Sequence, residues 1–242
     1  MEENKMKKKY QTLFFDIDDT LLDFGAAENE ALEKLFSRVD GIKLTDTIKE
    51  DYKKFNQSLW KSMEQGKLSR EKLMTTRFTE FFNQEFGIEV DNNKMSEQYL
   101  TYLSQGHQEV TGAHQLLSEL QQQSFKLFVV TNGVERVQTK RLADSHFDAY
   151  FTDIFISEQT GYQKPNKKFF NYVFDNISDF DSDNSLIIGD SLTSDVAGGI
   201  NAGIDTVWFN PEHKRNLTNY SANYTVHRLS EIKNLLINNI NR

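Results

Sequence analysis

Hydrophobic and polar positions divide the chain into two kinds of segment. Residues 23–107 carry apolar side chains at helical spacing and no strand pattern, which predicts a block of four helices. On either side of this block, short apolar runs bounded by polar residues are typical of buried strands in a parallel sheet. From residue 111 onwards these strands alternate with helices, as in sheets built by right-handed crossovers. The pattern predicts an α/β core of residues 1–22 and 108–242 with an all-helical insertion at 23–107.

Capping residues and glycines mark the ends of the predicted helices. Thr45 and Ser69 are N-cap candidates, whereas Gly66 and Gly87 stand at or just beyond predicted helix ends. In the insertion we predict helices at 26–39, 45–65, 69–87 and 93–104. In the core we predict strands up to Asp16 and at 126–131, 153–157, 185–189 and 205–209. Core helices are predicted at 112–123, 135–143, 166–176, 194–202 and 230–239, the last after a polar loop.

Composition narrows the possible function classes. The chain has 242 residues and a formal net charge of −8, which argues against a general surface for nucleic-acid polymers or anionic membranes. It has no cysteine, so disulfides, thiolate catalysis and a thiolate zinc site are excluded. No apolar run approaches the roughly 18 residues of a membrane span, and the charged N-terminal stretch shows no secretory signal. We therefore expect a cytoplasmic protein, taken as a monomer by default because nothing in the sequence indicates its oligomeric state.

The first predicted strand stops at a cluster of acids. Asp16, Asp18 and Asp19 fall within one stretch of four residues, directly before Thr20. Ligands of open α/β sheets bind beyond the carboxyl ends of the strands, which is where Asp16 is expected. Neighbouring carboxylates repel one another unless a cation neutralises them, and oxygen ligands favour a hard ion, Mg²⁺ first. The cluster therefore predicts a magnesium site.

Three later segments also place polar residues at strand ends or helix starts. They are Thr131-Asn132-Gly133 after one strand, Lys164-Pro165 before a helix, and Asp190 with Asp195 after another strand. Taken singly, the first segment is more often a turn, and the lysine is more often simply solvated. The Gly198-Gly199 pair is expected to allow close helix packing. The histidines lack metal-ligand spacing, so we expect them to be surface or structural residues.

Taken together, these segments resemble the motifs of the haloacid dehalogenase (HAD) superfamily of phosphohydrolases. That family combines a DxDx[TV] motif, a strand-terminal Ser or Thr, a Lys and a GDxxxxD-type motif, and all four occur here in order. The resemblance spans the core and implies a three-layer, Rossmann-like parallel-sheet domain. The helical insertion, which lies between the first and second motifs, resembles the C1-type cap domain of this family.

The resemblance also implies a role for each motif residue. Asp16 would be the nucleophile that forms an aspartyl phosphate, and Asp18 the general acid and then the general base. Mg²⁺ would be bound by Asp16, Asp190 and the backbone carbonyl of Asp18, with Asp195 near the ion directly or through water. The remaining phosphoryl oxygens would be bound by Thr131, by backbone N–H groups around Asn132, and by Lys164.

Two longer segments resemble the bacterial pyrimidine 5′-nucleotidases of the same superfamily. They are SEQTGYQKPNKKFF from Ser157 and IIGDSLTSDVAGGIN from Ile187. This resemblance implies that the substrate is a small phosphate ester, a nucleoside monophosphate such as UMP, dUMP or dTMP. The products would be the nucleoside and phosphate.

We assign no residue of the insertion to a contact with the nucleobase. Asp23 and Phe24 directly follow the first motif, so we expect them to be closest to the leaving group. Gly25 and Gly106 are candidate hinges. The other aromatic and basic candidates fall mostly at helical spacing, which favours the interior of the insertion for each: Phe55, Trp60, Arg70, Arg77, Phe78, Phe81 and Phe82.

Several alternatives remain or are set aside. Within enzymes, a sugar-phosphate phosphatase or a phosphomutase of the same superfamily is the main rival. From another class, a phosphometabolite-binding protein without catalysis is possible but less favoured, because every catalytic residue type is in place. An EF-hand is excluded because Leu21 stands where the loop needs glycine. The presence of Asp18 argues against a dehalogenase, and the lack of membrane-spanning segments excludes a P-type ATPase. The length of the chain and its helical insertion argue against a receiver domain.

Overall fold

The computed structural model describes residues 9–237, and its centre is a single parallel sheet. The strands are β1 (Thr12–Phe15), β2 (Lys126–Thr131), β3 (Asp153–Ile156), β4 (Ser185–Gly189), β5 (Asp205–Phe209) and β6 (Tyr224–Val226). Their spatial order is β3-β2-β1-β4-β5-β6, and every neighbouring pair is parallel. The α/β fold with a parallel sheet that the sequence predicts is confirmed.

Helices occupy most of the remaining described residues. In chain order they are α1 (Phe24–Phe36), α2 (Asp46–Glu64), α3 (Arg70–Phe86), α4 (Asn92–Leu103), α5 (Ala113–Gln122), α6 (Glu135–Asp144), α7 (Ser157–Thr160), α8 (Lys167–Asp175), α9 (Ala197–Ala202) and α10 (Leu229–Ile237). Within this part of the chain, none of the helices combines the length and the apolar character needed to cross a membrane.

The first strand lies at the centre of the sheet. All four residues of β1 are buried, and Phe15 pairs with Val129 of β2 on one side and with Ile188 of β4 on the other. From β1 the chain builds β2 and β3 outward on one side and then β4, β5 and β6 on the other. The direction of building therefore reverses between β1 and β4. Open α/β sheets bind ligands at such a reversal, beyond the carboxyl ends of the strands.

Phenylalanines fill one face of the sheet. Phe14, Phe128 and Phe155 come from three adjacent strands, and they belong to one buried cluster with Phe169 and Phe170 of α8. Aromatic side chains bury a large apolar area each, so this cluster contributes much of the driving force for docking α8 on the sheet.

The glycine pair of α9 lets that helix pack directly on its neighbours. A Cβ atom at Gly198 would lie 2.7 Å from the Phe170 ring, and one at Gly199 would lie 2.4 Å from Cγ2 of Thr206. Both distances are too short for carbon atoms, so any larger residue would push the helix outward. The predicted role of the Gly198-Gly199 pair in close helix packing is confirmed.

The chain forms two compact units. The α/β unit contains the described residues up to Asp23, Glu109–Glu135, and those from Ser145 onwards; the helical unit contains Phe24–Gln108 and Arg136–Asp144. Within the helical unit, Nε of Arg141 donates to the carbonyl oxygen of Gly106 at 2.7 Å. The sequence pattern assigned residues 136–144 to the core because they lie between two strands, and it gave no sign of this contact.

Buried aromatic rings and side-chain caps build the helical unit. Thr45 and Ser69 cap α2 and α3 by accepting hydrogen bonds from the backbone N–H groups of Ile48 and Lys72, as predicted. Gly87 ends α3 in the left-handed conformation that favours glycine. The aromatic core that these helices enclose contains Phe36, Tyr52, Phe78, Phe81, Phe82 and Tyr99.

A polar cluster, Glu28, Asn56, Arg77 and Tyr99, lies inside this aromatic core and links all four helices α1 to α4. Oε1 of Glu28 accepts from Nδ2 of Asn56 at 2.8 Å and from the Tyr99 hydroxyl at 2.9 Å. Oδ1 of Asn56 accepts from Nη1 of Arg77 at 3.2 Å, so the asparagine bridges the acid and the base. Burial raises the pKa of Glu28, and the bonds from Tyr99 and Asn56 and the Arg77 charge oppose that rise.

The structure departs from the predicted elements in a few places. Strand β6 lies where the sequence predicts a polar loop, because three residues with only Val226 buried leave no apolar run to detect. The predicted helix 194–202 is preceded and partly replaced by a π-helical turn, Leu192–Val196. Helix α1 begins two residues before the predicted start and ends three before the predicted end. The last two residues of the predicted helix 230–239 lie outside the described residues.

Replacing Glu28 by alanine should destabilise the helical unit by about 2 to 4 kcal/mol. The change leaves Nδ2 of Asn56 and the Tyr99 hydroxyl without their shared acceptor, and it removes a negative charge that interacts with the buried Arg77 guanidinium. The chain has two tryptophans, and Trp60 lies in the helical unit. Urea unfolding followed by Trp60 fluorescence in a Trp208→Phe background measures this loss.

Glu33→Ala is the matched control on the same helix. Glu33 forms an exposed ion pair with Lys49 at 2.6 Å, so its loss should cost at most about 1 kcal/mol. Since the pKa of Glu28 is raised in the folded state, ionisation of Glu28 lowers stability as the pH rises above about 4.5. The Glu28→Ala loss should therefore be larger below that pH than at neutral pH. Equal losses for the two variants would contradict a special role of the cluster.

Candidate active site

Parallel pairing of β1 and β4 brings acids from distant segments together. Asp16 directly follows β1, Asp190 directly follows β4, and the Asp16 N–H donates to the Ile188 carbonyl at 3.0 Å. One carboxylate oxygen from each of Asp16, Asp190 and Asp195 lies within 4.8 Å of the other two. Three of the acids singled out in the sequence therefore form one cluster at the reversal point of the sheet.

A tight turn follows Asp16. The Ile17 carbonyl accepts hydrogen bonds from the backbone N–H groups of residues 20–22, at 2.8 to 3.2 Å. Asp19 has a φ of 55°, a left-handed conformation that aspartate adopts more readily than most residues. Asp18 is half-buried in this turn, and its charge is one of the influences on the pKa of Asp16. The turn therefore keeps Asp18 near Asp16.

Lys164 is the hub of the cluster. Its Nζ donates to Oδ1 of Asp16 at 2.7 Å, to Oδ1 of Asp195 at 2.6 Å and to the Val130 carbonyl of β2 at 2.6 Å. An ammonium group has three N–H donors, and here each has an acceptor. Only 1% of Lys164 is exposed. Burial alone would lower the pKa of Lys164, but Asp16 and Asp195 raise it above its ordinary value, so the side chain stays charged.

Asp195 uses both of its carboxylate oxygens inside the protein. Oδ1 accepts from Lys164, and Oδ2 accepts from the backbone N–H of Ser191 at 3.0 Å. The Ser191 side chain caps the π-helical turn by accepting from the Ser194 N–H at 3.1 Å. Asp195 is therefore fixed from two sides, which suits a residue that supports a metal site from behind its direct ligands.

Gly189 is required by the position of Asp195. A Cβ atom at Gly189 would lie 2.1 Å from Oδ2 of Asp195 and 2.2 Å from its Cγ atom. Gly189 had no predicted role of its own, although a glycine at the end of a buried strand and directly before an acid indicates a close approach of the backbone to another group.

Asn132 and Thr131 shape the end of β2. Oγ1 of Thr131 accepts from the Gly133 N–H at 3.0 Å. The Asn132 side chain bonds both backbone polar groups of Lys164, and its Nδ2 also donates to Oγ of Ser194 at 3.2 Å. These bonds connect the second, third and fourth motifs, a function of Asn132 that the sequence did not indicate.

The charges of the cluster do not balance. Asp16, Asp190 and Asp195 contribute three carboxylates, and Lys164 contributes one ammonium, which leaves two negative charges for a divalent cation. Mg²⁺ binds oxygens at about 2.1 Å, so its ligands lie about 3 to 4.2 Å apart. Three carboxylate oxygens within 4.8 Å of one another lie close enough to converge on such an ion.

Burial, with the neighbouring negative charges adding to it, raises the pKa of both strand-end acids. Burial is the main cause that raises the pKa of Asp16 to about 8; Lys164 opposes the rise, and Asp195 and Asp18 add to it. Burial likewise raises the pKa of Asp190 well above its usual value, with Asp195 and Asp16 adding to the effect. A bound cation would reverse this effect by favouring the ionised carboxylates.

Trp208 of β5 supports the carboxyl end of β4. Its Nε1 donates to the backbone carbonyl of Asp190 at 2.8 Å, and Trp208 is paired in register with Gly189. The Val130 carbonyl, Ser191 and Ser194 are further contributors that were not predicted. Backbone carbonyls and N–H groups carry no residue-type signal, so sequence patterns do not reveal them.

The candidates from the helical insertion fall into two groups. Phe78, Phe81 and Phe82 are buried in the helical unit, as the spacing favoured, and Arg77 is buried with them. The partly buried candidates are Phe24, Phe55, Trp60 and Arg70, and the Arg70 guanidinium lies 5.6 Å from the Trp60 ring centre. None of the histidines belongs to the acid cluster.

Comparison with known proteins gives consistent results. The sequence profile of a family described as "Haloacid dehalogenase-like hydrolase" matches residues 13–209. The chain is 48% identical over 229 residues to the HAD-hydrolase YfnB of Bacillus subtilis, covering 95% of this chain and 96% of YfnB. A crystal structure of YfnB, described as bound to magnesium, is similar with a TM-score of 0.89 at 47% identity, covering 95% of this chain and 100% of that chain.

Two further relatives carry a substrate class in their names. The pyrimidine 5′-nucleotidase PynA of Streptococcus pneumoniae is 42% identical over 231 residues, which is 96% of this chain and 97% of PynA. The pyrimidine 5′-nucleotidase YjjG of Escherichia coli is 30% identical over 228 residues, which is 94% of this chain and 98% of YjjG.

Gly189→Ala should destabilise the α/β unit by about 1 to 3 kcal/mol, because the new methyl group overlaps the Asp195 carboxylate. Urea unfolding followed by Trp208 fluorescence in a Trp60→Phe background measures this. In an Asp195→Ala background the two closest overlaps are gone, but the Cβ atom of residue 195 would still lie 2.6 Å from the new methyl group. The same substitution should therefore cost less than in the wild-type background without becoming neutral. An equal cost in both backgrounds would show that the overlap is not the cause.

Proposed function

Because the chain belongs to the haloacid dehalogenase-like hydrolase family, we propose that it is a Mg²⁺-dependent phosphatase that hydrolyses pyrimidine nucleoside monophosphates. The observation that carries this proposal is the cluster of buried Asp16, Lys164 and Asp195 with half-buried Asp190 at the sheet reversal. The similarity to two pyrimidine 5′-nucleotidases along nearly the whole chain supports the substrate class.

In the proposed first step, Asp16 is the nucleophile. One of its carboxylate oxygens attacks phosphorus, and the bond between phosphorus and the nucleoside 5′ oxygen breaks. Asp18, which is half-buried two residues further on, donates a proton to the departing oxygen. Lys164, bonded to Asp16 at 2.7 Å, keeps the nucleophile in one orientation.

The second step returns the enzyme to its starting state. Asp18, now ionised, takes a proton from a water molecule whose oxygen attacks phosphorus. The bond between phosphorus and the Asp16 oxygen breaks, phosphate is released and the Asp16 carboxylate is restored. Because the same residue donates a proton in one step and accepts one in the next, its protonation state is correct for each.

The phosphoryl oxygens need positive groups around them in both steps. We assign Thr131 and the backbone N–H groups around Asn132 to bind these oxygens, and the Lys164 ammonium to stabilise them through its positive charge, since its three donors are bonded to Asp16, Asp195 and the Val130 carbonyl. Donors held in fixed positions stabilise transition-state charge without reorganising, and the bonds around Lys164 and Asn132 give this rigidity.

The acid cluster fits a divalent cation by its charge and by its oxygen donors. Asp16, Asp190 and the Asp18 carbonyl would hold Mg²⁺, with Asp195 supporting the site through its bonds to Lys164 and Ser191. When bound, the ion supplies positive charge that offsets the repulsion between the carboxylate and the phosphate dianion.

We assign the helical unit the role of the C1-type cap, which supplies substrate selectivity in this proposal. The α/β unit contacts only the phosphoryl group in the proposed mechanism, so selectivity for the rest of the substrate must come from other residues. Asp23 and Phe24 follow the first motif directly and remain the proposed neighbours of the leaving group.

With Mg²⁺, the enzyme should release phosphate from UMP, dUMP and dTMP with kcat/KM about tenfold or more above that for sugar phosphates. EDTA should abolish turnover, and added Mg²⁺ should restore it, because the acid cluster needs its counter-charge. A colorimetric phosphate assay over this panel, with a generic aryl phosphate as reference, gives the answer.

The panel separates the alternatives. Cleavage of a phosphosugar but of none of the nucleotides would refute the nucleotidase proposal and leave the phosphatase mechanism. If neither the aryl phosphate nor any panel member is cleaved with Mg²⁺, the proposed enzyme activity is wrong, and the non-catalytic binding protein becomes the favoured alternative.

Asp16→Asn should lower kcat by about 10⁴-fold or more, because the amide oxygen is a far weaker nucleophile than a carboxylate. Asp153→Asn is the control, since Asp153 is exposed at the amino end of β3, and it should change kcat less than twofold. Steady-state phosphate release and circular dichroism should be measured on both proteins. Wild-type turnover by Asp16→Asn would remove Asp16 from the role of nucleophile.

A further inference from the structure

We propose that Asn132 is a positioning residue whose side chain holds the backbone of Lys164, so that the positive charge of the Lys164 ammonium stays beside Asp16, where the phosphoryl group binds. This inference rests on the proposed phosphatase function and adds a role that the four family motifs do not name. It concerns the side chain of Asn132; the backbone N–H groups around it keep their proposed place in phosphate binding.

The side chain of Asn132 pairs with Lys164 as a second peptide group would. Its Oδ1 accepts from the Lys164 N–H at 2.9 Å, and its Nδ2 donates to the Lys164 carbonyl at 2.9 Å. Reversing the amide would set two donors and two acceptors against each other, so the backbone partners fix its orientation.

Lys164 needs such a support because it lies in the connection between α7 and α8, outside any strand ladder. Its ammonium nevertheless reaches three acceptors in other segments, Asp16, Asp195 and the Val130 carbonyl. A long flexible side chain keeps such a geometry only if its backbone is fixed. Two hydrogen bonds from one rigid amide provide that fixed point.

The donor count argues against the Asn132 side chain as a phosphate ligand. An amide nitrogen has two N–H donors. One donates to the Lys164 carbonyl and the other to Oγ of Ser194, at 2.9 and 3.2 Å. Both donors are thus committed to the protein, and the bond to Ser194 also ties the arrangement to the residue next to Asp195.

A double-mutant cycle tests this proposal. Kinetics of aryl phosphate hydrolysis with Mg²⁺ should be measured for Asn132→Ala, Lys164→Ala and the double variant. Inorganic phosphate, used as a competitive inhibitor, gives the affinity of each protein for the anion. A misplacement of about 1 Å costs on the order of 10²-fold in rate, so Asn132→Ala should lower kcat/KM by about 30- to 100-fold.

The decisive comparison is the effect of Asn132→Ala when Lys164 is already absent. If Asn132 acts through Lys164, the substitution should cost less than about threefold in the Lys164→Ala background. The same factor in both backgrounds would overturn the proposal, since Asn132 would then act on the substrate by itself. An effect below about threefold in the wild-type background would overturn it as well.

Ser194→Ala is the matched control. It removes the third bond of the Asn132 amide and leaves both bonds to Lys164, so it should lower kcat/KM by less than about fivefold. A loss as large as that of Asn132→Ala would transfer the effect to Ser194 and refute the role assigned here.

Asn132→Asp protects the test against a folding defect. Aspartate keeps the shape and the acceptor but lacks the N–H donors, so it should lose activity in the wild-type background and add little in the Lys164→Ala background. Circular dichroism identifies a variant that does not fold, and the comparison is then taken from Asn132→Asp.

Because the substrate is an aryl phosphate, the result does not depend on nucleotide selectivity. A wild-type enzyme without aryl phosphatase activity would refute the proposed function instead.

Discussion

The Lys164 ammonium holds the proposed active site together. It lies within hydrogen-bonding distance of Asp16, Asp195 and the Val130 carbonyl, and all three contacts are buried. Without this charge, three carboxylates would face one another at the sheet edge with no internal counterion. The ammonium joins β2 to the segments that follow β1 and β4. The geometry of all three therefore depends on Lys164, which lies between α7 and α8 and outside the strands.

The sheet order makes this convergence possible. Because β1 is central and pairs with both β2 and β4, segments more than 100 residues apart end at one edge. Gly198, Gly199 and the phenylalanine face fix the layers behind that edge. The helical unit has a polar cluster of its own around Glu28, buried and linked through Asn56 in a similar way. In the helical unit an asparagine side chain bridges an acidic and a basic side chain, and in the α/β unit an asparagine side chain holds the backbone of a charged residue.

Sequence patterns predicted the parallel α/β core, five of the six strands and the residues that gather at the reversal point. Asp16 and Asp190 were predictable because each directly follows a short apolar run. Strand β6 was missed because pairing with β5 and the Asn223 side chain, rather than apolar content, define it. The partners of Lys164 and Asp195 were missed because a backbone carbonyl or N–H group looks the same in every residue. The backbone N–H groups around Asn132 stay a prediction for phosphate binding, whereas no sequence pattern indicated that its side chain bonds Lys164 and Ser194.

The contact between Gly189 and Asp195 has an evolutionary consequence. The two residues occupy the same small volume, since any side chain at 189 would fall where the carboxylate lies. A lineage that gains even a methyl group at 189 must also shift or lose the acid six positions later. The residue types at positions 189 and 195 therefore constrain each other, and a larger residue at 189 is compatible only with a displaced or absent carboxylate at 195.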